Sequence, residues 1–258
     1  MRIRVLLPIL GSVLVACGSA ASGGVSDLRG RTYLSTSVSE NGQQKPLVAG
    51  TQIRLTFAAD GANVGAYAGC NHMGGPGRIE SGRLVVGEMA MTMMGCDGGR
   101  NEQDAWLATL LTGRPTIQLS GDELVLASGT TEVRLLDRKV ADPDRPLAGT
   151  RWVVESLIDR DTASSIPIGA RAHLTIGADG KFTGNGGCNE MGGRAVTTGT
   201  TIAFSDVFTT RMACEPERTR LEQAVLAVLR DTVTYEVEAD RLRVRHPSGK
   251  GLDLRADR

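Results

Sequence analysis

This sequence has few aromatic residues, no surplus of charge and no long apolar run. It has two Trp, three Tyr and four Phe among 258 residues, and 29 Lys and Arg side chains balance 29 Asp and Glu. Proteins that bind nucleic acid usually have a basic surplus and aromatic side chains that stack on bases. The composition therefore excludes nucleic acid as the main partner. The apolar run at residues 5–16 is shorter than the roughly 20 residues that a membrane-spanning helix needs.

Motifs of catalysis are also missing. The chain has no nucleophile elbow, no His-Glu-x-x-His pair and no Walker phosphate loop. It also has no Cys-x-x-Cys pair, which is the usual redox arrangement. The sequence therefore predicts a protein that is not an enzyme, with no catalytic residue, no cofactor and no metal site. An envelope hydrolase with unrecognised residues is the less favoured alternative.

Glycine is the residue that the chain has in excess. The 33 Gly residues are nearly twice the usual share, which indicates many tight turns between short strands. The hydrophobic fraction of 41% is enough to form a buried core.

The first residues look like a bacterial lipoprotein signal. A basic start, Met1–Arg4, precedes the apolar run 5–16, and the run ends in Leu14–Cys17 followed by Gly18. That order fits a secretory signal, and its end resembles a lipobox, in which the cysteine is acylated and becomes the first residue of the mature protein. We therefore predict a signal peptide at 1–16, lipidation of Cys17, a flexible tether at 17–27 and attachment to the extracytoplasmic face of the cell membrane. The alternative is an ordinary cleaved signal with a chance cysteine at its end.

The rest of the chain is a duplication. Matching segments lie 118 or 119 positions apart over the whole of each half, which predicts one domain at 28–137, a linker at 138–146 and a second domain at 147–258. The clearest matching pairs are Gly69–Gly75 with Gly187–Gly193, and Thr92–Cys96 with Thr210–Cys214.

Each copy combines short strands, in which apolar and polar residues alternate, with one segment whose apolar residues have the spacing of a helix. The dipeptides Asp60–Gly61 and Asp179–Gly180 are typical of hairpin turns. A helical stripe follows the last cysteine of each copy. The fold class is therefore mainly β (α+β), each repeat being a curled antiparallel sheet or a partly open barrel with one helix. The predicted helical positions are Ala105, Trp106 and Leu110 in the first copy, and Leu221, Ala224, Val225, Val228 and Leu229 in the second.

Four cysteines remain when Cys17 is set aside. They form two pairs, each separated by 26 positions, one pair in each copy. In an oxidising compartment this pattern favours one disulfide within each domain. Free buried thiols, metal binding and redox chemistry are the alternatives, and the only nearby histidine, His72, is replaced by Glu190 in the second copy. The cysteines are Cys70 and Cys96 in the first copy, and Cys188 and Cys214 in the second.

These motifs together resemble the META domain, also called HslJ-like. The resemblance is carried by Gly-Cys-Asn at 69–71 and 187–189, by Thr-x-Met-x-Cys at 92–96 and 210–214, and by the helix that follows. It covers nearly all of residues 28–258 as a tandem pair. The resemblance implies a small, lipocalin-like β-barrel with a helix, an envelope or stress-related setting, and no catalytic activity for the family as a class.

The polar residues of these motifs have two interpretations each. Asn71 and Asn189 either shape turns, because asparagine tolerates the left-handed conformation, or contact a ligand. Thr92 and Thr210 are expected to bond the backbone.

The glycines that follow the first cysteine, the methionines and the histidines also have two interpretations. The glycines are expected to form turns, with phosphate binding as the alternative. The methionines before Cys96 are expected to lie in the core, with a Cu(I) site as the alternative. The three histidines are expected on the surface or in turns. The glycines are Gly74, Gly75, Gly77, Gly192 and Gly193, the methionines are Met89, Met91, Met93 and Met94, and the histidines are His72, His173 and His246.

The function predicted from the sequence is binding or scaffolding. A lipid-anchored envelope protein with two META domains would present its surfaces to an envelope protein, a polymer or a small apolar ligand, in the cell envelope or in a stress response. The alternatives are a carrier of a small hydrophobic ligand inside a barrel, a structural spacer, and a protease inhibitor.

Overall fold

The computed structural model describes residues 28–257. It divides the chain into two compact units, with the boundary between Arg138 and Lys139. Each unit consists mainly of antiparallel strands, which confirms the predicted mainly β fold with two repeats. No helix among the described residues is long and apolar enough to span a membrane.

The first unit is a closed barrel of eight strands, with two short strands outside the ring. Its elements are β1 (Thr32–Glu40), β2 (Gln43–Gln44), β3 (Arg54–Phe57), β4 (Asn63–Tyr67), β5 (His72–Glu80), β6 (Arg83–Val86), β7 (Ala90–Met91), α1 (Arg100–Thr112), β8 (Thr116–Ser120), β9 (Glu123–Ser128) and β10 (Thr131–Asp137). Strand β1 pairs with β3 on one side and with β10 on the other, and this second pairing closes the barrel.

The second unit repeats this arrangement. Its elements are α2 (Arg138–Ala141, beginning at the boundary), β11 (Arg151–Asp159), β12 (Thr162–Ser165), β13 (His173–Ile176), β14 (Lys181–Asn185), β15 (Glu190–Thr198), β16 (Thr201–Thr209), α3 (Pro216–Val228), β17 (Asp231–Glu238), β18 (Arg241–Arg245) and β19 (Lys250–Ala256). Strand β11 closes the ring by pairing with both β13 and β19. Of the two predicted forms, the structure is therefore the barrel, and it is closed rather than partly open.

Alternation of side chains places the core inside each barrel. In β9, Leu124 and Leu126 are buried while the residues between them are more exposed, and β18 repeats the pattern with Leu242 and Val244. Successive side chains of a strand point to opposite faces, so the apolar positions face the interior.

Large side chains fill both interiors. The largest that are almost fully inaccessible are Tyr33, Ile53, Leu55, Leu84, Leu107, Leu111, Leu124, Leu126 and Leu135 in the first unit, and Trp152, Leu174 and Phe182 in the second. Small barrels are commonly filled in this way, whereas carrier barrels enclose a ligand cavity. This packing counts against the carrier alternative.

Helix α3 matches its predicted stripe, and α1 matches it in part. Pro216 occupies the first turn of α3, where its fixed backbone angle suits a helix start, and Leu221, Val225 and Val228 are buried. In α1 the predicted Leu110 is buried and Trp106 packs against the core, but Ala105 is exposed. The other buried positions of α1 are Gln103, Asp104, Leu107 and Leu111.

The predicted turn glycines after the first cysteine lie within strands, so that prediction is wrong. A side chain at Gly75 would place its Cβ 2.6 Å from the carbonyl oxygen of Glu88, and one at Gly193 would come 2.8 Å from that of Ser205. Glycine is therefore needed for close approach of neighbouring chain segments. The Asp-Gly dipeptides do lie in hairpin turns, where Gly61 and Gly180 have φ of 72° and 75°.

Candidate functional site

Each unit contains one disulfide, which links the segment before the helix to the β-barrel. Cys70 is bonded to Cys96 and Cys188 to Cys214, with Cα atoms 6.0 Å apart in both cases. The first cysteine of each pair lies in the connection before β5 or β15, and the second lies just before α1 or α3. The bridge therefore holds the segment that leads into the helix against the barrel. Cys17 lies outside the described residues.

The buried asparagine beside each disulfide is the centre of a hydrogen-bond network. In the first unit, the Oδ1 atom of Asn71 accepts bonds from the Met94 backbone N–H at 2.8 Å and from the Thr92 hydroxyl at 2.9 Å. Its Nδ2 atom donates to the Met94 carbonyl oxygen and to the Asn101 Oδ1 atom, each at 3.3 Å. The side-chain amide thus fixes both backbone polar groups of Met94.

The second unit builds the same network. The Oδ1 atom of Asn189 accepts bonds from the Met212 N–H at 2.7 Å and the Thr210 hydroxyl at 2.8 Å, while its Nδ2 atom donates to the Met212 carbonyl at 3.4 Å. We call this arrangement the asparagine clamp, which consists of Cys70, Asn71, Thr92, Met94 and Cys96 in the first unit and of Cys188, Asn189, Thr210, Met212 and Cys214 in the second.

The threonines of the clamp were expected to bond the backbone, but both hydroxyls donate to the asparagine side chains. The asparagines precede β5 and β15 in turn-like connections, but the left-handed backbone belongs to Gly69 and Gly187, with φ of 127° and 110°. In the first unit the Thr92 hydroxyl also accepts the His72 backbone N–H at 3.1 Å. The asparagine side chains link two segments that are more than 20 residues apart.

A helical carboxylate, which the sequence motifs did not predict, completes each clamp. The Asp104 Oδ2 atom accepts the backbone N–H of Asn71 at 2.6 Å, and the Glu222 Oε2 atom accepts that of Asn189 at 2.6 Å. The other Glu222 oxygen accepts the Asn189 Nδ2 group at 3.2 Å. Both acids occupy matching positions of the two copies, which is the signal that could have revealed them.

Gln103 provides a second anchor in the first unit. Its Oε1 atom accepts the Val48 N–H at 2.7 Å, and its Nε2 atom donates to the Thr51 hydroxyl at 2.9 Å and to the Ala68 carbonyl. The matching residue of the second unit is Leu221, which packs in the core. These polar contacts explain why the buried face of α1 differs from the apolar stripe that the sequence suggests.

Most of the methionines near the first clamp are exposed, so the prediction that they lie in the core is wrong for those. Met89 packs against the core, but Met91, Met93 and Met94 are 40%, 99% and 52% exposed. The physical reason is the clamp, which holds the Thr92 side chain and the Met94 backbone and leaves neighbouring side chains pointing to solvent. In the second unit Met212 is likewise 59% exposed.

The histidines and acidic residues are dispersed. His72 is exposed on β5 with its ring 4.9 Å from that of Tyr67, and His173 and His246 are partly exposed. Within residues 28–257, no group of three His, Cys, Asp or Glu side chains is placed to hold a metal ion.

The acidic groups with shifted pKa values lie in surface ion pairs. Bonds from Lys45 and then Trp106 lower the pKa of Glu40, and a bond from Arg78 lowers the pKa of Glu80. The backbone N–H of Lys181 lowers the pKa of Asp179. These shifts reflect ion pairing and hydrogen bonding, not the tuning of a catalytic group.

The family match agrees with the duplicated clamp. The META domain family matches residues 26–141 and again residues 145–257. This chain therefore belongs to the META domain family and carries two META domains in tandem. No curated protein matches the chain at a significant level.

Similar solved structures are distant. An NMR structure of a protein from Burkholderia xenovorans is 26% identical over 43% of this chain and 83% of its own, with a TM-score of 0.38. A second NMR structure is 17% identical over 41% of this chain and 87% of its own, with a TM-score of 0.35. A crystal structure of a DUF3598-family protein of unknown function from Nostoc punctiforme is 11% identical over 90% of this chain and 95% of its own, with a TM-score of 0.20. Since every TM-score is below 0.5, the assignment rests on the family match.

Proposed function

We propose that this chain is a non-enzymatic, lipid-anchored protein of the bacterial envelope whose two META domains bind or scaffold a partner through their asparagine clamps. The family assignment supports an envelope or stress-related setting. The lipobox-like segment ending at Cys17 supports attachment to the extracytoplasmic face of the membrane. Residues 17–27, if fully extended, would span at most about 40 Å, so the first domain would remain close to that surface.

One observation carries the binding role. Each clamp presents a methionine side chain to solvent, Met94 or Met212, while the asparagine fixes the backbone of that methionine. The buried amide, the helical carboxylate and the disulfide all stabilise the backbone rather than the exposed side chain. Because the backbone is already fixed, a partner that binds the methionine has only the side chain to order, which suits this position to contact a partner.

The second domain exposes one more large apolar side chain. Phe208, near the end of β16, is also exposed, and its ring lies against the backbone of Gly192. The partner expected here is an apolar surface of an envelope protein or polymer, since Met and aromatic residues are enriched in interface cores.

Photocrosslinking in the envelope tests this role. A photoreactive amino acid is placed at position 94 or 212 of the full chain, and the adducts are identified after irradiation of intact cells. Ile168 is the matched control, because it is an apolar residue that is fully exposed outside the clamps. We expect the same specific adduct from positions 94 and 212 and none from 168.

Two results would contradict the proposal. Equal adducts from all three positions would mean that the clamps have no special affinity. A reproducible turnover by the mature protein that is lost on changing one residue would show that the chain is an enzyme.

A further inference from the structure

Half of the methionines in the chain lie in six residues of the first unit. Of eight Met residues, four lie between positions 89 and 94. Three of them alternate along the segment: Met89, Met91 and Met93, which we call the methionine row. The segment that carries this row includes β7 and overlaps the first clamp at Thr92.

The second unit shows that the barrel does not require the row. At the matching positions it has Val207, Thr209 and Arg211, whereas Met94 and Met73 are matched by Met212 and Met191. The fold therefore accepts a β-branched, a polar and a charged side chain at these three positions. Packing accounts for Met89, but it does not account for thioethers at Met91 and Met93.

The geometry of the segment puts the row on one side. The hydroxyl of Thr92 is held by Asn71 and His72. Strand β7 pairs with β5, and the Thr92 N–H continues this pairing by donating to the His72 carbonyl oxygen at 3.0 Å. Because successive side chains of an extended chain point to opposite sides, we expect Met91 and Met93 on the side opposite to Thr92. The row runs outward from the core, since Met89 packs on the core, Met91 is 40% exposed and Met93 is 99% exposed.

A fourth methionine lies across the sheet from the middle member of the row. Met91 is paired across the sheet with Met73, which is buried in the core. Directly opposed residues of antiparallel strands have their Cβ atoms about 5 Å apart. Neighbouring members of the row are separated by roughly 6.6 Å along an extended chain, a gap that two flexible methionine side chains can close around one ion.

Thioether sulfur is a soft ligand that suits monovalent copper and not hard divalent cations. It also does not titrate in the physiological range, so the row would bind without competition from protons. We propose that the exposed end of the methionine row is a binding site for a soft monovalent cation, Cu(I), with Met91 and Met93 as its ligands. This inference does not depend on the partner-binding role, which rests on Met94 and Met212.

Titration with Ag(I), which mimics Cu(I) and needs no reductant, tests the site. The full chain is produced with Cys17→Ser, which removes a competing thiol, and its methionine methyl groups are labelled with ¹³C. We expect the methyl signals of the row to shift with a single Ag(I) ion per chain. Native mass spectrometry gives the stoichiometry.

Matched variants assign the ligands. The double variant Met91→Leu, Met93→Leu should weaken Ag(I) binding by at least about tenfold, while Met212→Leu in the second unit should leave it unchanged. Amide spectra check that both variants remain folded. The proposal is overturned if no methyl signal of the row shifts, if the double variant binds as tightly as the parent, or if the shifts fall on Met212 and Met191 instead.

Discussion

Replacing Asn189 by alanine should destabilise the second domain strongly, because its side-chain amide is buried and both its oxygen and its nitrogen form hydrogen bonds. The substitution removes the bonds to the Met212 N–H at 2.7 Å and the Thr210 hydroxyl at 2.8 Å. It also leaves the Glu222 Oε1 atom without its partner at 3.2 Å. Each lost bond costs about 1 kcal/mol, and each buried group left unpaired costs about 1–3 kcal/mol. Glu222 is partly exposed and can bond water, so we expect a total loss of about 3–4 kcal/mol.

Urea unfolding measures this loss in one domain at a time. The chain has two Trp residues, Trp106 in the first unit and the buried Trp152 in the second. In a Trp106→Phe background, fluorescence therefore reports the second domain alone. With a slope of about 1–3 kcal/mol per molar urea, the midpoint should fall by at least about 1 M.

The exposed residue Thr197 on β15 provides the control. The Thr197→Ala variant should change the free energy of unfolding by no more than about 0.5 kcal/mol. A loss below about 1 kcal/mol for Asn189→Ala would refute the reasoning, since it would mean that the amide does not hold the clamp.

Three further predictions follow from the same contacts. Replacing Cys188 and Cys214 by serine should cost the second domain about 3.5 kcal/mol on the chain-entropy estimate, measured by the same urea assay, and an unchanged midpoint would contradict it. Because bonds from Lys45 and Trp106 lower the pKa of Glu40 below its ordinary 4.5, the stability that this group adds is present above about that pH and is lost as the pH falls through its folded-state value. Glu40→Gln should therefore reduce the acid sensitivity of the first domain, and an identical pH profile of thermal unfolding would argue against this. Gly75→Ala should lower the melting temperature of the first domain because its Cβ would lie 2.6 Å from a carbonyl oxygen, whereas Gly95→Ala, with open space around it, should not; equal effects would contradict the close-approach argument.

Local patterns in the sequence account for much of the fold. Alternation in β9 and β18, the Asp-Gly turns and the stripe of α3 each depend on neighbours that are close in the chain, so residue order alone predicts them. Because the domain is duplicated, each element is predicted from two separate segments of the sequence. Strand β19 pairs with β11, which lies about 100 residues earlier in the chain. Barrel closure depends on that pairing, which local periodicity does not encode.

The residues of the candidate site could be predicted from the sequence, but their contacts could not. The matched Asn71 and Asn189 stand out in the repeat, but their partners Met94 and Met212 are 23 positions away. The burial of Gln103 and Asp104 contradicts their polarity, and it arises because each satisfies backbone groups of distant loops. The exposure of Met93 contradicts its hydrophobicity for a related reason, since the clamp fixes the chain around it.

We propose a lipid-anchored META protein whose two domains work, oxidised, outside the cytoplasm. Mass spectra of the intact mature protein, isolated from its own membranes, test that proposal most directly. The account predicts a chain that begins at an acylated Cys17 and lacks four hydrogens relative to the reduced form, because Cys70 is bonded to Cys96 and Cys188 to Cys214. A chain that keeps residues 1–16, carries no acyl group or contains free thiols at these four positions would contradict it.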